Sequence, residues 1–276
     1  MALALCAPGV RAAESDSETL MRRARDLFGY GRWSDARHEL LRAREAMAPD
    51  DRSLQQEIDY YLAACAVELG SADAEASLRR FEERYPQSVY ANDVRFSLGS
   101  FYCAAGNMAR AREAFERTNY KALSPQRREQ YDIRMGYVEF TDGRYKEAGG
   151  HFSRIGDRSE YADHAHYYLA YIDYAEGRYA RAKQGFLRLR KSDTYGALVP
   201  YYLLQIEFRE GNYRYVVEHG DALARQAVPE RRAELERVIA ESWFRLEDFN
   251  RTLEHLAAYR TSGGEMDRDA CYLEGF

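Results

Sequence analysis

The stretch YYLAYIDYAEGRY at residues 167–179 aligns without a gap on YYLLQIEFREGNY at residues 201–213. Each copy is a tyrosine-rich apolar run closed by Glu-Gly, one polar residue and an aromatic. Working outward, the same punctuation recurs: a turn residue, usually Gly, an aromatic two positions on, and a small residue three beyond that. It reads Gly31-Arg-Trp-Ser-Asp-Ala36, Gly106-Asn-Met-Ala-Arg-Ala111, Gly143-Arg-Tyr-Lys-Glu-Ala148, Gly177-Arg-Tyr-Ala-Arg-Ala182 and Gly211-Asn-Tyr-Arg-Tyr-Val216. Degraded copies stand at Gly70-Ser-Ala-Asp-Ala74 and Glu247-Asp-Phe-Asn-Arg-Thr252. The steps from Gly31 through Gly70, Gly106, Gly143, Gly177 and Gly211 to Glu247 are 39, 36, 37, 34, 34 and 36 residues. A period in the mid-thirties is that of stacked helical hairpins. The reading is an all-α chain, a right-handed α-solenoid of about seven helix-turn-helix repeats plus an incomplete eighth. Its function then lies on a surface.

Two amphipathic runs flank each turn. In the fifth unit they cover residues 163–176 and 179–189, and the second places Ala182, Phe186 and Leu189 at i, i+4 and i+7. The same stripe reads Ala36/Leu40/Ala43, Ala111/Phe115 and Ala148/Phe152/Ile155. The small residue at its head lets paired helices approach closely, and glycine at the turn supplies a left-handed backbone conformation. Pro49 and Pro86 follow second helices, whereas Pro125 and Pro229 suit first turns of new ones. Pro200 fits a helix beginning near Ala197. Three departures stand out: unit two is one residue short at its turn, unit six has Gly220 where a large stripe residue belongs, and unit seven has Glu247 in place of Gly.

The repeats run over residues 16–276 as one domain, with Thr261-Ser-Gly-Gly264 the only loose inter-repeat loop. Residues 266–276 begin another first helix, so the natural chain is expected to continue beyond Phe276. Residues 1–13, MALALCAPGVRAA, read as the later part of a signal peptide whose basic beginning is missing. Export to the periplasm or outer membrane is the expectation, with a cytoplasmic location as the alternative. No stretch approaches the 18 apolar residues of a membrane-spanning helix. The chain has 276 residues, 46% hydrophobic and 31% charged, with net charge −5. That balance suits a folded chain, and without a dense Lys/Arg stripe it argues against nucleic-acid binding. Beyond the leader, Cys65, Cys103 and Cys271 form no metal-ligand spacing, and Cys65 and Cys103 read as small buried thiols.

The paired runs, Gly-x-aromatic turn and Ala/Phe stripe resemble tetratricopeptide repeats, most strongly over residues 88–225. The stretch FEERYPQS at residues 81–88, followed by a new helix, is similar to repeats of bacterial cell-envelope assembly proteins. The abundance of tyrosine, 23 residues, resembles multi-repeat proteins of Bacteroidetes-type bacteria. The resemblance implies a superhelix whose first helices line a concave groove, and a role in binding proteins or peptides. The Lys/Asn pattern with which some members hold a C-terminal carboxylate is not evident here.

Tyr167, Tyr171 and Tyr174 share one helix face, while Ala165, Leu169 and Ile172 take nearly the opposite one, suited to the hairpin partner. Tyr137, Phe140, Tyr201 and Phe208 extend the aromatic face into adjacent units. These seven residues are the candidate partner-binding surface, and packing between repeats is the competing role for the same side chains. His164 and His166 lie two apart without an HExxH motif, Gly149-Gly150 lacks a phosphate-loop context, and no catalytic or cofactor constellation emerges. The expected function is a non-catalytic scaffold that binds a protein or peptide segment. Two alternatives are a glycan- or peptidoglycan-binding envelope protein and the N-terminal scaffold of a larger enzyme or signalling protein.

Overall fold

The computed structural model describes residues 15–275, and regular structure among them is entirely helical. The leader-like residues 1–13 lie outside the described residues. The chain divides into two compact units, the first ending at Thr141 and the second starting at Asp142. No helix among the described residues is long and apolar enough to cross a membrane.

The first unit contains α1 (Asp16–Gly29), α2 (Trp33–Ala46), α3 (Arg52–Glu68), α4 (Ala74–Arg84), α5 (Ala91–Ala104), α6 (Met108–Glu116) and α7 (Pro125–Thr141). A capping box opens α1: Ser15 Oγ accepts from the Glu18 amide, and Glu18 accepts from the Ser15 amide. Met21, Ala24, Ala36, Leu40, Ala43 and Ile58 close the first hairpin onto α3. Val94, Leu98, Ala111, Phe115 and Val138 form the heart of the larger core that follows. Cys65 is buried in α3, where desolvation pushes its thiol up to about 11, while Cys103 is half-buried and Cys271 exposed.

The second unit contains α8 (Tyr145–Phe152), α9 (Ala162–Ala175), α10 (Tyr179–Arg188), α11 (Val199–Arg209), α12 (Tyr213–Gln226), α13 (Pro229–Arg245), α14 (Phe249–Thr261) and α15 (Arg268–Gly275). Pro125 and Pro229 open α7 and α13 as expected. Before Pro200 the helix starts two residues later than anticipated, because Gly196–Leu198 form a 3-10 turn that leads into α11.

The turns explain the period. At Gly177 the backbone has φ +74°, its amide donates to the Tyr174 carbonyl at 3.0 Å, and the Arg178 amide donates to the Asp173 carbonyl at 2.8 Å. This pair of bonds is a Schellman motif, which satisfies the last carbonyls of the first helix and reverses the chain. The seventh turn keeps the same geometry without glycine: Glu247 has φ +63°, and the Glu247 and Asp248 amides each donate at 3.0 Å to Phe244 and Trp243. A side chain in that conformation costs about 1–2 kcal/mol, and the exposed Glu247 side chain makes no hydrogen bond or ion pair in return among the described residues. Glu247→Gly is therefore expected to raise stability by about 0.5–1 kcal/mol, the gain being trimmed by the freer unfolded chain. Chemical denaturation with the transition slope unchanged checks it.

Close packing across each hairpin follows one rule. The position seven before the turn residue is small, and the position nine after it is large and fully buried, except that the short second turn puts its large residue, Leu78, eight after Gly70 and the sixth repeat departs from the rule. Gly99 shows why: a Cβ there would lie 2.6 Å from the Phe115 ring. Ala170 works the same way at Gly185, where an added Cβ would meet the Ala170 Cβ at 2.8 Å. The sixth repeat inverts the pair. Leu204 stands at the small position and Gly220 at the large one, and Ile239 of α13 fills the remaining space, 2.6 Å from where a Gly220 Cβ would be. The departure at Gly220 is thus a conserved volume with its parts exchanged between helices. The Ala165, Leu169 and Ile172 face is also divided differently from expectation. Leu169 is directed at Gly149 of α8, and it is Ala170 that meets the hairpin partner α10.

Candidate functional site

The paired tyrosines of the aligned stretches play two different parts. The second of each pair stacks on the preceding second helix, Tyr202 buried and Tyr168 half-buried. Tyr202 is buried and lies flat on Phe186 of α10, with ring centroids 4.3 Å apart and planes 3° from parallel. One repeat earlier, Tyr168 lies on Phe152 of α8 in the same way, at 4.9 Å and 11°. In these two repeats the phenylalanine nine after the turn is therefore covered by a tyrosine from the next first helix. Tyr168 and Tyr202 were absent from the candidates, although their adjacency to Tyr167 and Tyr201 in both copies was the available signal.

The first of each pair stays half-buried at the surface. Tyr167 stacks on Tyr195 at 4.4 Å, and its hydroxyl shares a 2.7 Å hydrogen bond with the Tyr202 hydroxyl. Tyr171 and Tyr174 set their rings edge-on to Tyr202 at 6.0 and 6.1 Å. The Tyr201 hydroxyl donates to the Glu234 carboxylate of α13, and the Arg231 guanidinium lies 5.1 Å from its ring centroid. Phe208 is half-buried and edge-on to Tyr213 at 5.9 Å. Five candidates thus lie on α9 and α11 of the second unit; Tyr167, Tyr171, Tyr174 and Tyr201 gather around Tyr202, and Phe208 packs apart from it against Tyr213. Tyr137 and Phe140, both half-buried, lie on α7 in the first unit. Tyr195, outside the repeat signature, is the further member that sequence reading missed. It belongs to the segment before α11, whose path no periodicity marks.

Electrostatics keep these rings neutral. Burial first, then the Glu234 carboxylate, pushes the Tyr201 hydroxyl above the usual phenol range, and burial with the Tyr167 hydroxyl does the same for Tyr202. Burial also raises Tyr171 and Tyr195. At neutral pH these phenols therefore offer uncharged aromatic area with hydroxyl donors, which can hold apolar side chains and backbone carbonyls. The nearby histidines are occupied structurally: His166 Nε2 lies 3.0 Å from Asp157, and His164 is edge-on to Tyr195 at 5.4 Å.

A crystal structure of a tetratricopeptide repeat protein from Parabacteroides merdae ATCC 43184 superposes with a TM-score of 0.51 at 14% identity, the match covering 94% of this chain and 97% of that one. This chain has the tetratricopeptide-repeat fold. The apo form of the quorum sensor NprR from B. thuringiensis is a looser match, with a TM-score of 0.44 at 13% identity over 90% of this chain and 76% of that one. No protein-family model and no curated protein matches the sequence. The half-buried tyrosines around Tyr202 are the candidate site on this fold.

Proposed function

We propose that this chain is a non-catalytic interaction scaffold that holds a protein or peptide segment against the aromatic surface of α9 and α11. The observation that carries this reading is the division of the tyrosine pairs. Tyr202 is committed to the core, whereas Tyr167, Tyr171, Tyr174 and Tyr201 keep part of each ring at the surface above it. Tyrosine offers a large, stiff contact area with a polar tip at little rotamer cost, which is why it dominates many binding surfaces. An extended or helical segment would lay apolar side chains between the rings. Tyr137 and Phe140 are proposed to serve the first unit in the same way, through α7. The leader-like residues 1–13 support export, and cell fractionation with an antibody to the chain would reveal a cytosolic protein if that part is mistaken.

Tyr171→Ala combined with Tyr174→Ala separates binding from folding. Both rings meet Tyr202 only at their edges, so the double variant is expected to keep a melting temperature within a few degrees of wild type. Affinity capture from envelope extract, quantified by mass spectrometry, is expected to lose the partner by at least about tenfold, the effect of removing one hot-spot contact. Undiminished capture by a folded double variant contradicts the proposal, as does a loss of binding explained entirely by unfolding.

A further inference from the structure

We draw no further inference here: the strongest candidate, the tyrosine cluster on α3 of the first unit, where Tyr60 stacks on Tyr90 at 4.2 Å with Tyr61 edge-on at 5.1 Å, repeats the packing of Tyr167 with Tyr195 and Tyr168, and nothing in the structure shows what covers it.

Discussion

Phe186→Ala is expected to lower stability by about 3–5 kcal/mol, the range for a fully buried phenylalanine truncated in a close-packed core. The ring is 1% exposed, and it is covered by Tyr202 on one face and approached edge-on by Tyr167 at 6.3 Å. Its removal opens a cavity between α10 and α11 and withdraws the floor on which Tyr202 rests. Because Tyr202 in turn supports Tyr167, Tyr171 and Tyr174, the loss propagates to the proposed binding surface. Equilibrium denaturation followed by tyrosine fluorescence checks the stability change. A cost below about 1 kcal/mol would mean that the stack is not a packing unit.

Gly220→Phe is the second large effect, and its direction runs against the repeat pattern. The consensus of the stripe has a large residue at this position, yet restoring one is expected to destabilise by about 3 kcal/mol, the upper end for an overpacked core. An added Cβ would lie 2.6 and 2.8 Å from Ile239 Cγ1 and Cδ1, and 3.8 Å from Leu204 Cδ2. Adding Leu204→Ala and Ile239→Ala should recover much of the loss, because the three positions share one volume. The recovery should exceed anything the single variants predict by simple addition. Denaturation of the single, double and triple variants measures the coupling. Additive costs would contradict the exchange of volume between helices.

The helical hairpins and their turns were legible because they rest on local chemistry. A left-handed residue every mid-thirties positions, a small residue at the head of a stripe and proline at first turns each act within a few residues of chain. Gly31 and Gly177 could be read without knowing any partner helix. What could not be read depends on residues far apart in sequence. Leu204 and Gly220 compensate one another across a hairpin, with Ile239 supplied by the next. Glu247 keeps the glycine geometry because the Schellman bonds hold it there, a fact that no propensity reveals. The inward role of Tyr202 required knowing that Phe186 comes to rest opposite it, whereas the helix face of Tyr167, Tyr171 and Tyr174 followed from spacing alone.

The central claim is that the tyrosines left half-exposed around Tyr202 are the working surface. Hydrogen–deuterium exchange of the chain with and without its captured partner tests this most directly. The account predicts new protection in α9 and α11, around Tyr171, Tyr174 and Tyr201, with the second helices α10 and α12 unchanged. Protection confined to those second helices, with α9 and α11 exchanging as in the free chain, would contradict it.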